Sequence, residues 1–225
     1  MKRQGRPAGL RETVRDCLRG KDYGQVLDIA GRERRLVRTL TSLLYDGEPI
    51  VRWRAVSAVG RLAAAEPEKV RPLIQRFIWW MNEESGGIGW SSGPALGEIG
   101  RMAPELLRDA VRVLVHFRAE RMILSGVFWG CGRVAATYPD VVKEVVPELV
   151  TYLADPDAEI RGTVAWTLGE IGDARARSGI ESLLGDGEQV LLYDGEELAL
   201  KEIGAISAEA LQKISAGFVI NNGTF

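Results

Sequence analysis

Apolar residues recur every three or four positions along most of this chain, which is the spacing of one face of an α-helix. In the segment 159–171, Ile160, Val164 and Leu168 share such a face. Regular alternation of apolar and polar residues, which is typical of strands, is scarce, so strands are not expected. The pattern predicts an all-α protein.

The helical pattern repeats along the chain. Five segments close apolar helical runs and align with one another: AVGRLA, ALGEIG, GCGRVA, TLGEIG and ALKEIG. Their third residues are Gly60, Gly97, Gly132, Gly169 and Lys201, in steps of 37, 35, 37 and 32 residues. A second helical run follows each of the first four segments. A period of this length predicts a right-handed α-solenoid of about five to six antiparallel helix pairs.

One unit resembles a known repeat family. The segment 155–186, DPDAEIRGTVAWTLGEIGDARARSGIESLLGD, is similar to the short HEAT-like repeats first described in phycobilisome lyases. The resemblance covers roughly residues 40–216, and the first 40 residues fit it poorly. Because the family includes scaffolds, bilin lyases and some enzymes, the resemblance implies the fold more strongly than the function. We expect a single domain over residues 1–225. The implied parts are capping helices at 1–45, repeats at 46–83, 84–118, 119–155, 156–186 and 187–216, and a tail at 217–225.

A second stripe on the same template helix carries the candidate site. Gly162, Trp166 and Glu170 lie nearly opposite the core stripe. The same register in the other units places Trp53, Trp90 and Trp129 on this stripe, which in the repeats that this chain resembles lines the concave surface. The alternative is that these tryptophans are packing residues. The predicted concave site comprises Trp53, Arg54, Arg61, Glu83, Glu84, Trp90, Ser91, Glu98, Trp129, Arg133, Trp166 and Glu170.

The stretch WWMNEESGGIGWSSGP, residues 79–94, interrupts the helical pattern. Its glycines are poor helix formers, and Pro94 cannot donate a backbone hydrogen bond. We therefore expect residues 82–91 to form a loop and the next helix to begin near Ser92 or Gly93. This loop would place Glu83, Glu84 and Trp90 at the middle of the groove, or it would be a connection only.

The charge is unevenly distributed. Residues 1–76 hold 17 Lys and Arg against 9 Asp and Glu, whereas residues 77–225 hold 12 against 22. We favour a chance gradient on a solvated surface, and the alternative is that the basic half faces an acidic partner. Cys17 and Cys131 form no CxxC pattern, and no apolar run is long enough for a signal peptide or a membrane span. We expect a cytoplasmic protein with free thiols that does not bind a membrane.

Residue types that carry chemistry are few. His116 is the one histidine, and the sequence contains no HExxH, GxSxG, P-loop or Cys/His cluster. The sequence therefore predicts no metal, no cofactor and no catalytic residues, and lyase-like activity is the main alternative to a non-enzymatic protein.

Tryptophan and arginine together on a groove are the composition of interaction hot spots. The first hypothesis is a non-catalytic scaffold that binds a protein or peptide. The second is a bilin-lyase-like small-molecule binding protein or chaperone, in which aromatic walls and arginine hold a planar anionic pigment. The third, a HEAT-like nucleic-acid-binding protein or DNA glycosylase, is disfavoured by the sequence pI of about 5.7.

Overall fold

The computed structural model describes residues 9–82, 89–118 and 120–221, with side chains described up to residue 216. Most of this part of the chain is helical. Its α-helices are α1 Leu10–Arg19, α2 Tyr23–Arg32, α3 Leu36–Leu43, α4 Pro49–Ala65, α5 Pro67–Met81, α6 Ser92–Met102, α7 Pro104–Leu107, α8 Val111–Val115, α9 Leu124–Val134, α10 Pro139–Glu144, α11 Val146–Thr151, α12 Ala158–Ile171, α13 Arg177–Glu181 and α14 Ile203–Asn221. Short 3-10 turns occupy Arg121–Ile123, Tyr152–Ala154 and Ala174–Ala176.

The helices form two layers. In the first layer, α4, α6, α9, α12 and α14 pack side by side in chain order. The second layer contains α5, the pair α7 and α8, the pair α10 and α11, and α13, which pack on the first layer, while α1, α2 and α3 pack on α4 at the N-terminal end. This arrangement confirms the predicted α-solenoid. None of the described helices is long and apolar enough to span a lipid bilayer.

The repeating glycine has a packing role. A Cβ atom on Gly97 would lie 2.5 Å from the Cα atom of Gly130 in the next first-layer helix, and one on Gly169 would lie 2.7 Å from the Cα atom of Ala210. Gly60 and Gly132 face Glu98 and Trp166 of the following first-layer helices at similarly short distances. The absence of a side chain therefore lets successive first-layer helices approach closely.

The last unit departs from the prediction. Residues 187–202 were expected to enter a further helix pair, but two antiparallel strands, β1 Gln189–Tyr193 and β2 Leu198–Glu202, form a hairpin there. The expectation of no strands is wrong for this segment. The sequence of this segment does not alternate between apolar and polar residues, because the exposed face of the hairpin is apolar as well. Leu191 and Leu200 are a cross-strand pair and are exposed, while Val190 and Leu192 on the opposite face are buried.

The structure describes part of the stretch 79–94, which interrupts the helical pattern. Helix α6 begins at Ser92 and carries Pro94 in its first turn, as predicted. Ser91 precedes the helix but does not cap it, because its hydroxyl donates instead to the carbonyl of Leu44 at 2.8 Å. Residues 83–88, which include Glu83 and Glu84, lie outside the described part of the chain.

Gly97→Ala should test the close approach of the first-layer helices. The added methyl group has no room against Gly130, so we expect a loss of about 1–3 kcal/mol in the free energy of unfolding, measured by urea denaturation. Gly31→Ala is the control, because Gly31 lies in α2 and a Cβ atom there would meet no other part of the described chain within 4 Å. That variant should gain about 0.4–1 kcal/mol. Equal effects of the two substitutions would contradict the packing role.

Candidate functional site

The hairpin lies on the inner face, by which we mean the side of α4, α6, α9 and α12 that points away from the second layer. Tyr193 at the end of β1 is fully buried there, and its ring stacks on Trp53 with the centroids 5.2 Å apart. The indole N–H of Trp129 donates to the Tyr193 carbonyl at 2.6 Å. The Tyr193 and Ser57 hydroxyl groups are 2.8 Å apart and share a hydrogen bond. The hairpin is thereby fixed to α4 and α9.

Three of the four predicted groove tryptophans do come together. The ring of Trp129 lies 4.9 Å from that of Trp53 and 5.8 Å from that of Trp166, to which it is nearly parallel. The expectation that these rings would be exposed is wrong for Trp129 and Trp166, which are both buried. Tyr193 of the hairpin packs on Trp129, and Trp129 stacks on Trp166. The stripe opposite the helix core is therefore buried in part by the hairpin. Trp53 is half-buried.

The predicted arginines also reach the inner face, where they bind the hairpin turn 194–197. Arg54 donates to Glu197 at 3.1 Å, Arg133 donates to the carbonyl of Asp194 at 3.3 Å, and Arg61 lies 3.8 Å from Glu196. Lys21 pairs with both glutamates of the turn. Some basic residues of the N-terminal half are therefore paired with acidic residues of the same chain, in the hairpin turn.

The shape of the turn depends on its first two residues. The Asp194 carboxylate accepts hydrogen bonds from the amides of Glu196 and Glu197, both at 2.8 Å. Gly195 has a φ of +105°, which side chains disfavour, and a Cβ atom there would lie 2.6 Å from the Arg133 guanidinium. The Asp-Gly pair thus permits the close contact with Arg133.

The two remaining acidic residues of the predicted site are engaged in ion pairs. Glu98 is fully buried and pairs with Arg101 at 2.8 Å and with Arg133 at close range. Glu170 pairs with Lys213 of α14. These contacts hold the carboxylates in the framework rather than in an open site.

An open cleft remains beside β1, at the N-terminal ends of the first-layer helices. It encloses about 360 Å³. Trp90, 52% exposed, and Met122, 62% exposed, lie at its border, and Ser91 is buried in its wall. The lining consists of Pro49, Arg52, Trp53, Trp90, Ser91, Pro94, Met122, Ile123, Ser125, Gly126, Trp129, Glu159, Thr163, Leu191, Leu192 and Tyr193.

Sequence reasoning missed the hairpin wall of this cleft. Leu191, Leu192 and Tyr193 lie in the run VLLYDGEE, whose Asp-Gly turn between apolar segments is a hairpin signal. Met122 was also missed, because it precedes a helix and belongs to no repeated stripe.

The described residues offer little for covalent or metal chemistry. Burial raises the pKa of the Cys131 thiol to about 12, so the thiolate is scarce at neutral pH. His116 is exposed at the end of α8 and lies 3.5 Å from Glu144. No group of three or more His, Cys, Asp or Glu residues that could hold a metal ion occurs in the described ranges.

Replacing two tryptophans by alanine should distinguish a buried packing tryptophan from the exposed tryptophan of the open cleft. Trp129→Ala removes a buried ring and the hydrogen bond to Tyr193, so we expect a loss of about 3–5 kcal/mol in unfolding free energy. Trp90→Ala, at an exposed ring, should cost less than about 1 kcal/mol. Urea denaturation followed by circular dichroism measures both. A cost for Trp90→Ala as large as that for Trp129→Ala would show that Trp90 is a packing residue.

The hairpin turn should make stability sensitive to acid. The hydrogen bond from the Lys21 ammonium lowers the pKa of Glu197, so its folded value lies below the unfolded value of about 4.3. This contribution is present above the unfolded pKa and is lost as pH falls through the folded pKa. Glu197→Gln should therefore lose less stability than wild type between pH 7 and pH 3, as measured by urea midpoints. Glu181→Gln on α13 is the control and should behave as wild type; identical pH profiles for all three would contradict the role of the turn.

Comparison with known proteins supports the repeat assignment. A family model described as HEAT repeats matches residues 126–196. An engineered protein solved by structural genomics is similar with a TM-score of 0.54 at 17% identity, over 92% of this chain and 90% of that one. A designed armadillo repeat protein gives a TM-score of 0.53 at 15% identity, over 93% and 96%. No curated protein matches the sequence. The chain is an α-solenoid in which residues 126–196 match HEAT repeats, as its resemblance to HEAT-like repeats predicted.

Proposed function

We propose that this protein is a non-catalytic scaffold that binds a protein or peptide partner, and that the partner occupies the cleft beside β1. The observation that carries the proposal is the exposed ring of Trp90 at the border of an open cleft whose wall is part apolar and part polar. Trp90 lies on the same cleft as the exposed side chains of Met122 and Leu191, whereas Trp79 does not line it. Grouped exposed apolar side chains mark interaction sites, and tryptophan is enriched in interface hot spots. Solenoid folds of this type serve as extended binding surfaces.

The charges of the inner face favour a protein partner over an anionic one. A planar anionic pigment or a nucleic acid needs free cationic groups. Arg54, Arg61 and Arg133 are instead engaged by the hairpin turn. The cleft itself is lined by one arginine, Arg52, and one glutamate, Glu159, so its charges nearly balance.

Trp90→Ala should weaken binding of the natural partner. Truncation of an aromatic hot-spot residue costs about 2 kcal/mol, or roughly thirtyfold in affinity. Wild type and variant are immobilised and incubated with lysate of the native host. The captured proteins are then quantified by mass spectrometry. The partner should be retained by wild type and depleted on Trp90→Ala.

Trp79→Ala is the matched control for this experiment. Trp79 lies near the end of α5 in the second layer, is 57% exposed and does not line the cleft. It should retain the partner as wild type does. Capture of the same proteins in the same amounts by all three baits would contradict the proposed function.

A further inference from the structure

The geometry points to an extended peptide segment as the occupant of the cleft, pairing as an added strand with the outer edge of β1. This inference rests on the proposed function and specifies the kind of partner. Strand addition uses main-chain hydrogen bonds for affinity and pockets for alternate side chains for selectivity. The cleft combines both features.

The hydrogen-bond alternation of the hairpin shows which main-chain groups of β1 face outward. The amide of Asp194 donates to the Glu197 carbonyl, and the amide of Ile203 donates to the Glu188 carbonyl. In an antiparallel ladder such bonded pairs recur every second residue, so Val190 and Leu192 direct their main-chain groups toward β2. Gln189, Leu191 and Tyr193 therefore direct theirs to the opposite edge.

That outer edge borders the cleft. The Tyr193 carbonyl points outward and accepts its hydrogen bond from Trp129, which lines the cleft. Apart from the hydrogen bonds between β1 and β2, this carbonyl is the one main-chain group of β1 with a hydrogen-bond partner in the described part of the chain. Leu191 also lines the cleft, and its outward N–H and C=O have no hydrogen-bond partner among the described residues. They are therefore a donor and an acceptor available to another chain. An uncovered strand edge of this kind is a template for strand pairing.

The opposite wall of the cleft suits the side chains of such a segment. Successive side chains of a strand alternate between two faces. One set would contact the apolar groups of Trp53, Trp90 and Met122 across the cleft, and the other set would face solvent. The nearly balanced charges of the lining favour a segment with apolar residues at alternate positions and no requirement for net charge.

The chain offers a matched pair of proline variants. Leu191 and Leu200 are cross-strand partners, 49% and 62% exposed, and both direct their N–H groups away from the ladder. Leu191→Pro removes a donor from the edge at the cleft, whereas Leu200→Pro removes one from the far edge. Neither substitution removes a hydrogen bond between the two strands.

Displayed twelve-residue peptides selected on the 225-residue chain provide the probe. The best peptide is synthesised, and its affinity is measured by fluorescence anisotropy for wild type, Leu191→Pro, Leu200→Pro and Trp90→Ala. We expect about a tenfold loss for Leu191→Pro, since one main-chain hydrogen bond is removed, and no loss for Leu200→Pro. N-methylation of the peptide at every second residue should weaken binding about tenfold, while methylation of the intervening residues should have little effect. The methylation scan uses wild-type protein, so it decides the question even where Leu191→Pro fails to fold.

The outcomes separate this inference from the proposed function. If Trp90→Ala abolishes binding but neither Leu191→Pro nor N-methylation changes the affinity, strand pairing is wrong and the cleft remains the partner site. If selected peptides bind Trp90→Ala as well as wild type, both proposals fail. Failure to select any peptide overturns the inference, as does light scattering that shows wild type to be a dimer and Leu191→Pro a monomer, because the occupant is then a second copy of the chain.

Discussion

Tyr193 makes the contact on which the arrangement of the inner face depends. Its ring stacks on Trp53, its carbonyl accepts from Trp129 and its hydroxyl hydrogen-bonds to Ser57, so one residue joins the hairpin to α4 and α9. With β1 fixed in this position, Trp129 is covered, the turn pairs with the arginines, and the space beside β1 stays open. The candidate site is therefore the part of the inner face that the chain does not fill with its own hairpin.

The layer beneath this contact is set by steric constraints. Where a repeat glycine faces the next helix, as Gly97 faces Gly130, the two backbones meet without intervening side chains. Close spacing brings the aromatic rings of neighbouring units within stacking distance, as in the nearly parallel pair Trp129 and Trp166. The repeated glycines and the stacked tryptophans thus both depend on the close spacing of the first-layer helices.

Much of the fold followed from local pattern, whereas the site did not. The 35-residue period and the apolar stripe of Ile160, Val164 and Leu168 predicted the solenoid and its core, because helix periodicity is a local property. The stripe through Trp166 was correctly placed on the opposite face. The burial of Trp129 on this stripe could not be predicted, because it depends on a hairpin whose residue Tyr193 contacts α4 more than 100 residues earlier in the chain. The alternation of that hairpin is masked by the exposed Leu191 and Leu200.

The contacts of the hairpin turn with Lys21 and Arg54 connect the last unit of the solenoid to the first. In an ordinary repeat array each unit contacts only its neighbours, so terminal units can unfold separately. Here the turn closes a loop of more than 140 residues, so unfolding of the hairpin also removes a contact of α4. During synthesis, the inner face of the first units stays uncovered until residues 189–202 have left the ribosome. Completion of this face therefore waits for the synthesis of the hairpin, more than 100 residues after helix α4, which the hairpin contacts.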